Sequence, residues 1–426
     1  MASGLNRKRL VSIIGGSAGN LVEWYDWFAY ATFAIYFAPV FFPKGDYTAQ
    51  LINTSVIFAL GFVMRPLGAW VMGIYADRHG RKAGLSLSVG LMCVGSLIIA
   101  VAPTHAQAGV IAPLSLVLAR MIQGLSLGGE YGASATYLSE MAPHGRRGFW
   151  SSFQYATLCG GQLAAIAVAL VLQALLSEEQ LGAWGWRVAF VIGAILALAV
   201  YVLRRRLMET PSFESQSAHR PPSTARHLWK AHRRSFILVA MLSAGGGLAS
   251  YAFTTYMLKF LVNTAGLEKD SATLVIAGGL LWLFVSQPLW GLAADRFGRK
   301  PVLVLSAAAV MLSAIPVFST MEHVTTPGLA LLLLLIPLTF HGGYTANNAL
   351  VKAELFPAHI RSLGVALPYS IGNTIFAGTV EIVALEFKDL GFESGFYWYV
   401  ALIVAVELIA ILMLPETRDT SLIQED

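Results

Sequence analysis

The sequence is poor in charged residues and in cysteine, and each shortage narrows the class of protein. Of its 426 residues only 12% are charged, about half the share that is typical of soluble globular domains. Hydrophobic residues make up 56% of the chain and the mean hydropathy is +0.64, which indicates a membrane protein. The two cysteines, Cys93 and Cys159, both fall within apolar runs, so the sequence predicts neither a disulfide framework nor a metal site.

Long apolar runs recur along the whole chain. A helix needs about 20 apolar residues to cross about 30 Å of hydrocarbon, and these runs are too long to be strands of a membrane barrel. We therefore predict an all-α membrane protein with twelve transmembrane helices. The predicted spans are 12–38, 51–76, 83–102, 111–139, 150–175, 185–206, 235–262, 272–294, 301–320, 328–352, 363–386 and 395–414. The first run is too long and too acidic for a signal peptide, so we predict a retained helix.

Basic residues are unevenly distributed between the two sides of the predicted bundle. With the N-terminus inside, the loops on the opposite side hold only Lys44, Lys269 and Lys388. The inner segments hold the basic clusters at 7–9, 78–82, 146–147, 204–234 and 296–300. By the positive-inside rule both chain termini are predicted to be cytoplasmic. The net charge of +5 is thus a signal of topology, and we predict no nucleic-acid partner.

Two sequence motifs occur twice at nearly the same offset. GIYADRHGRK at 73–82 returns as GLAADRFGRK at 291–300, and EMAPHGRR at 140–147 is echoed by ELFPAHIR at 354–361. Each offset is close to half the chain length, and an even number of spans must separate the copies if each motif keeps its side of the membrane. We predict two six-helix halves with pseudo-symmetry, joined by a polar, basic linker in the cytoplasm. The predicted domains are 1–206, 207–234 for the linker, and 235–426.

This arrangement, with G-x-x-x-D-R-x-G-R-K after the second and eighth spans, resembles the major facilitator superfamily. The stretches GNLVEWYDW, LARMIQGLSLGGEYGASATYLSE and TTYMLKFLVNTAGL are further similar to its metabolite:proton symporter family, and most of all to bacterial α-ketoglutarate permeases and related dicarboxylate transporters. The resemblance implies a multi-pass protein of the bacterial inner membrane that imports 2-oxoglutarate or a related dicarboxylate with protons through the lipid bilayer by alternating access. We expect a functional monomer with no cofactor other than the coupling proton.

The same sequence features are compatible with some other transport activities and argue against an enzyme. A proton symporter for another carboxylate, such as citrate, shikimate or a C4-dicarboxylate, fits the same pattern, as does an exchanger or uniporter of the same fold. The sequence shows no nucleotide-binding motif, nucleophile elbow or histidine-rich metal motif. We therefore predict that the protein is not an enzyme.

Charged residues flank both copies of the repeated motifs at the predicted cytoplasmic ends. An acid at the C-terminal end of a helix, such as Asp77, opposes the helix dipole and needs basic partners. In the superfamily such clusters hold the halves together on the cytoplasmic side while the site faces outward, and the alternative is an ordinary set of basic loops. The resemblance assigns this gating role to Asp77, Arg81, Glu140, Arg147, Glu209, Asp295, Arg299, Glu354, Arg361 and Glu416.

Several charged residues fall deep within predicted spans, where each costs about 2.5 to 3.5 kcal/mol on insertion. They are Glu23, Asp26, Arg65, Arg120, Glu130, Lys259, Glu381 and Glu407. Glu23, Asp26 and Tyr30 share one face of the first helix, so this face must line a cavity or another helix. Glu381 and Glu407 receive no role.

Asp26 and Arg65 are predicted to lie at similar depth near the middle of the membrane, and Arg120 slightly outside the middle. A buried carboxylate stays charged opposite a guanidinium and takes up a proton when that partner withdraws. In proton-coupled sugar porters of the superfamily an acid of helix 1 works with an arginine of helix 4, and Asp26 and Arg120 occupy the matching places. The predicted proton-coupling residues are Asp26, Glu23, Arg120 and Glu130. A static ion pair between Asp26 and Arg120 is the alternative.

Cations near the middle of the membrane are predicted to bind the anionic substrate. Arginine holds a carboxylate through two parallel hydrogen bonds, and transport sites lie near the midplane between repeats. The predicted substrate contacts are Arg65, Arg120, Tyr30, Tyr251, Thr255, Lys259, Asn347 and Tyr369. Lys259 is close to the outer end of its span, where the alternative is a side chain that snorkels to the headgroups. The glycines Gly124, Gly128 and Gly132 are predicted to serve helix packing and not phosphate binding.

Overall fold

The computed structural model of the protein describes residues 7–43, 47–214 and 223–423, and within these ranges twelve long helices form one bundle. Their bounds are α1 Arg7–Phe41, α2 Tyr47–His79, α3 Arg81–Val101, α4 Ile111–Met141, α5 Arg147–Leu175, α6 Glu178–Arg204, α7 Arg233–Asn263, α8 Lys269–Phe297, α9 Arg299–Met321, α10 Pro327–Glu354, α11 Ala358–Asp389 and α12 Ser394–Met413. Short helices at His105–Ala108, Pro211–Glu214 and Ala225–Ala231 lie in the connections. Part of the predicted linker (215–222), Lys44 and both ends of the chain lie outside the described residues.

Eleven of these helices, α2 to α12, are long and apolar enough to cross a membrane. The first helix, α1, has 35 residues and so exceeds the length that a span needs, but one of its faces is polar. That face points into the bundle, because Asn20, Glu23 and Asp26 have no exposed surface. The twelve predicted spans therefore coincide with twelve helices, and the all-α membrane architecture is confirmed.

The helices form two halves with matching contacts. In the first half α1 packs against α5, α2 against α4, and α3 against α4 and α6. In the second half the corresponding helices pack in the same way, with α7 against α11, α8 against α10, and α9 against α10 and α12. The halves meet where α2 contacts α11 and where α5 contacts α8, which are again equivalent pairs. We call the end of the bundle that carries residues 77–82 and 295–300 the motif end.

The glycines of α4 allow neighbouring backbones to approach closely. A Cβ atom at Gly128 would lie 2.1 Å from the carbonyl oxygen of Arg65 in α2. A Cβ atom at Gly132 would lie 2.5 Å from the Cβ atom of Ala366 in α11, which belongs to the other half. Both distances are far below van der Waals contact, so the predicted packing role of these glycines is confirmed.

Candidate functional site

A narrow cavity lies between the two halves in the middle of the bundle. Helices α1, α4 and α5 line it on one side, and α7, α8, α10 and α11 on the other. Its wall is rich in aromatic residues, among them Trp24, Tyr131, Tyr155, Tyr251, Tyr344 and Tyr369. Two π-helical turns, Ala252–Tyr256 and Asn373–Ala377, interrupt α7 and α11 beside it. Such turns are frequent at functional sites.

Three of the predicted substrate residues, Tyr251, Thr255 and Tyr369, line this cavity. Asn347 does not: its amide donates hydrogen bonds to the carbonyl oxygens of Gly343 and Trp290. The next residue, Asn348, lines the cavity instead. The prediction of Asn347 as a wall residue is therefore wrong by one position, which on a helix is a rotation of about 100°.

Lys259 also lies away from the cavity wall. Its side chain is 48% exposed and pairs with Glu381, which is 43% exposed. This geometry favours the alternative that Lys259 is a surface residue near the outer end of α7. It also accounts for Glu381, which the sequence left without a role.

Arg65 and Arg120 lie directly behind the aromatic wall of the cavity. The guanidinium of Arg65 lies 4.2 Å from the ring centre of Trp27 and 4.1 Å from that of Phe62. The guanidinium of Arg120 lies 3.9 Å from the ring centre of the same tryptophan, Trp27, and 4.5 Å from that of Tyr30. Tyr30 thus contacts an arginine and does not line the cavity. Such contacts stabilise a cation by about 1 kcal/mol or more when it is desolvated.

The two guanidiniums lack acidic partners. Among the described residues no carboxylate oxygen lies within 4.0 Å of Arg65 or Arg120, and Nε and Nη2 of both have no hydrogen-bond partner. Arg65 is 3% exposed and Arg120 is fully buried. Two neighbouring buried cations without a counter-ion are costly, and an anion would stabilise them. Neither arginine lines the cavity in this structure, so the aromatic side chains in between have to move before an anion in the cavity contacts them.

Asp26 faces away from the cavity, toward α3 and α6. Its carboxyl group packs against Gly193, where a Cβ atom would collide with it, and Ser96 lies beside it. Arg120 donates a 2.9 Å hydrogen bond to Gln123, whose amide nitrogen lies 3.2 Å from the hydroxyl of Ser96. Arg120, Gln123 and Ser96 thus form a hydrogen-bonded relay that ends beside Asp26, whose two carboxyl oxygens have no hydrogen-bond partner among the described residues. The predicted direct ion pair between Asp26 and Arg120 is absent from the described residues.

Glu23 and Glu130 belong to a different buried cluster, whose centre is Arg204. Arg204 binds both oxygens of Glu130, at 2.5 and 3.1 Å, and lies 3.6 Å from Glu23. All three residues are fully buried. Sequence reasoning counted Arg204 only among the basic residues of the cytoplasmic side, because it begins a run of three arginines. The two glutamates thus share one arginine, which hydrogen-bonds Glu130 and lies near Glu23.

Lys352 is a buried cation of the second half that sequence reasoning missed. It is fully buried, and its Nζ lies 3.2 Å from the hydroxyl of Tyr131 and 3.0 Å from Oδ1 of Asn348. The ring of Tyr369 stacks on Tyr131 with 3.4 Å between the ring centres, and Lys352 lies 4.4 Å from the centre of Tyr369. Because Lys352 occupies the last turn of α10, its position in the sequence looked like an ordinary cytoplasmic end. In the structure it closes the cavity toward the motif end.

The ten predicted gating residues come together at the motif end. In the first half Arg81 binds Asp77 at 2.9 Å and Glu140 at 3.2 Å. In the second half Arg299 lies 3.3 Å from Asp295 and 3.8 Å from Glu354. Across the halves Arg361 binds Glu140, and Arg147 attracts Glu354.

Each motif aspartate caps a helix of the other half. Asp77 accepts hydrogen bonds from the backbone N–H groups of Ser362 and Leu363, at 2.9 and 3.0 Å. Asp295 accepts the equivalent bonds from Gly148 and Phe149, at 2.8 and 2.9 Å. A carboxylate is stabilised by the free N–H groups and the positive dipole end of a helix N-terminus. These hydrogen bonds offset the unfavourable interaction of Asp77 with the dipole of its own helix, α2.

Two glutamates complete the symmetry within each half. Glu209 accepts hydrogen bonds from the backbone N–H groups of Arg81 and Lys82, at 3.0 and 3.2 Å. Glu416 accepts them from Arg299 and Lys300, at 2.9 and 3.0 Å. Burial raises the pKa of Glu209 above its usual value. These contacts close the bundle at the motif end.

Comparison with known proteins agrees with this architecture. Residues 21–367 match the Major Facilitator Superfamily. The chain belongs to this superfamily. It is 45% identical to the alpha-ketoglutarate permease of Escherichia coli strain K12 over 97% of this chain and 95% of that protein. It is 32% identical to a citrate-proton symporter of Klebsiella pneumoniae over 92% and 88% of the two chains.

A solved structure of the superfamily has the same fold. The proton:xylose symporter XylE bound to 6-bromo-6-deoxy-D-glucose superposes with a TM-score of 0.81, at 19% identity, over 97% of this chain and 98% of that chain. The resemblance inferred from the repeated motifs is therefore confirmed at the level of sequence and of fold.

Proposed function

We propose that the protein is a symporter that imports 2-oxoglutarate, or a closely related dicarboxylate, together with protons by alternating access. The two unpaired guanidiniums of Arg65 and Arg120 beside the central cavity carry this proposal, because they need an anion. The 45% identity to an alpha-ketoglutarate permease over nearly the whole chain supports the choice of acid. The protein acts as a monomer in the bacterial inner membrane and is not an enzyme.

The substrate is held between cations of the two halves. Arg65 and Arg120 lie on the side of the first half, and Lys352 lies at the floor of the cavity on α10. A dicarboxylate reaches both sides at once, whereas a monocarboxylate leaves one cation without a partner. The hydroxyl and amide groups of Tyr251, Thr255 and Asn348 supply hydrogen bonds to the middle of the molecule. The aromatic wall excludes water from the charged contacts and so strengthens them.

Asp26 is the proton acceptor in this mechanism. A carboxylate bound to Arg65 and Arg120 weakens the hold of Arg120 on the Gln123–Ser96 relay, and Asp26 then takes up a proton because it is buried without a counter-ion. Release of the substrate restores the relay and favours release of the proton. Glu23 and Glu130 stabilise Arg204 and leave the coupling to Asp26.

The motif end is the cytoplasmic gate. Its contacts join the halves, so the cavity is reached from the opposite end, near Thr255, which is exposed. Opening toward the cytoplasm requires that the caps of Asp77 and Asp295 on the other half break. The excess of basic residues at this end favours a cytoplasmic position, with both termini on that side.

The experiment is uptake of labelled 2-oxoglutarate into vesicles that contain the purified protein. With an inward proton gradient we expect accumulation above the external concentration, and we expect an uncoupler to abolish it. Unlabelled 2-oxoglutarate should compete best, other dicarboxylates and citrate less well, and glucose not at all. Exchange without net accumulation would replace the symporter by an exchanger, and stronger competition by citrate would change the substrate.

A further inference from the structure

Three histidines converge at the motif end, apart from the gate carboxylates and from the central cavity. His227 belongs to the linker helix Ala225–Ala231, His232 directly precedes α7, and His359 lies in the first turn of α11. One ring nitrogen of each lies within 4.8 Å of those of the other two, and all three side chains are partly exposed. The sequence predicted no metal site, because His359 is separated from the other two by four transmembrane helices.

The geometry of the cluster suits a metal ion with nitrogen ligands. Imidazole is a favoured ligand of Zn²⁺, Ni²⁺ and Cu²⁺, and a tetrahedral ion at about 2.1 Å from each nitrogen would place the nitrogens about 3.4 Å apart. The observed spacing extends to 4.8 Å, so the three side chains have to move closer together to bind an ion. Among the described residues Nε2 of His359 has no hydrogen-bond partner although it is buried.

The basic side chains closest to His359 are Arg361 and Arg81. Arg361 and Arg81 both bind Glu140, and Arg81 also binds Asp77. The two carboxylates balance the charge of the two arginines.

The cluster is connected to the gate on two sides. Ser223, just before the linker helix, donates a 3.1 Å hydrogen bond to Asp77. Ala358, next to His359, accepts a 2.5 Å hydrogen bond from Arg81. Leu228 of the linker helix is fully buried in an apolar cluster with Phe356 and other residues of the second half. An ion at the histidines would therefore fix the linker helix in the position that brings Ser223 to Asp77.

We propose that His227, His232 and His359 bind one divalent transition-metal ion such as Zn²⁺, and that the bound ion holds the motif-end gate closed. The three imidazoles leave a fourth coordination position for water. The ion fastens the linker helix to α11, and the linker helix keeps Ser223 on Asp77. Binding of the metal stands by itself, whereas its effect on transport rests on the proposed function.

The first test measures metal binding without substrate. Protein purified through a tag that contains no histidine is titrated with Zn²⁺ against a chromophoric chelator, and Co²⁺ absorption reports the coordination geometry. We expect one ion for each chain, and affinity weakened at least about tenfold in His227→Ala, His232→Ala and His359→Ala. His323→Ala, an exposed histidine at the opposite end, is the matched control. Absence of saturable binding, or binding that survives in the double variant His227→Ala/His232→Ala, would overturn the site.

The second test measures transport with buffered free Zn²⁺ on the side of the motif end. We expect Zn²⁺ to slow uptake by the wild type and to leave His227→Ala/His232→Ala unaffected, while uptake without metal is equal in both. Stoichiometric binding with unchanged uptake would refute the effect on the gate. If no carboxylate is transported while the binding test succeeds, the proposed function fails and the metal site remains. Thermal unfolding of each variant identifies loss of fold.

Discussion

The two halves of the molecule repeat each other at the motif end and differ in the middle of the membrane. At the motif end the contacts of Asp77 and Asp295 agree within about 0.1 Å. In the middle, Arg120 and Glu130 have Leu334 and Tyr344 at the equivalent positions of the second half. The contacts that we propose as the gate therefore occur in both halves. The residues that we propose for proton and substrate in the first half lack such counterparts, and the repeat alone is not enough to locate them.

The largest effect is expected for the proton acceptor. Asp26→Asn removes the carboxyl group beside the relay, so accumulation driven by a proton gradient should be lost while exchange of substrate continues. Counterflow and gradient-driven uptake in the same vesicles measure both. Glu407→Gln is the control, since Glu407 is an equally buried acid of the second half. Accumulation that survives in Asp26→Asn and is lost in Glu407→Gln would move the proton site to the other half.

The next effect concerns the two cations of the first half. Hydrogen bonds to charged groups contribute about 1.5 to 3 kcal/mol, so Arg65→Ala and Arg120→Ala should each weaken binding of 2-oxoglutarate about 10- to 100-fold. Arg65→Lys should lose less, because it keeps the charge and loses only the forked geometry. Equilibrium binding of labelled substrate is the measurement, with Arg187→Ala at the opposite end as control. Affinity that is indifferent to both alanine variants would refute the cationic site.

A smaller effect tests the symmetry of the gate. Asp77→Asn and Asp295→Asn each remove one of two accepting oxygens and a charge at a helix N-terminus that is worth about 0.3 to 1 kcal/mol, so each should slow transport severalfold with little change in substrate affinity. The two variants should behave alike, because their contacts are equivalent. Initial uptake rates and binding constants are compared. A large loss of affinity in either variant, or an effect confined to one of them, would contradict a shared gate.

The smallest effect is expected for the exposed pair of Lys259 and Glu381. Exposed ion pairs contribute about 0 to 1 kcal/mol, so Lys259→Ala and Glu381→Gln should change uptake less than about fivefold. Uptake rates and equilibrium binding of labelled 2-oxoglutarate are the measurements. A loss of affinity comparable to that of Arg65→Ala would return Lys259 to the substrate site.

The features that repeat in the sequence could be predicted, because duplication fixes their spacing. Asp77, Glu140 and their counterparts are found together as expected. Residues outside the repeated motifs could not be placed in the same way. A helical wheel shows which face of a helix a residue lies on, but not which other helix packs against that face. Glu23 and Asp26 share a face of α1 and still belong to two separate clusters. One of these depends on Arg204, which the run of arginines concealed.

Positions near helix ends were the other source of error. Lys352 and Lys259 each lie within a few residues of a predicted boundary, and the length of a lysine side chain permits either direction. Lys352 turns inward to Asn348, whereas Lys259 stays at the surface. Tertiary contacts with Tyr131 and Glu381 decide between these outcomes, and such contacts between distant parts of the chain leave no local signal.

Asp77 and Asp295 each cap a helix of the other half, and these caps give the two halves the symmetry of a dimer. Asp77 accepts hydrogen bonds from Ser362 and Leu363, and Asp295 accepts them from Gly148 and Phe149. Gly148 and Phe149 lie 214 residues before Ser362 and Leu363 in the sequence. Two identical six-helix chains that face each other across a twofold axis would make the same contact twice, because each residue then meets its partner reciprocally. The bonds that join the two halves therefore have the reciprocal geometry of the interface in a symmetric dimer. Each half docks on the other as one subunit of such a dimer docks on its partner.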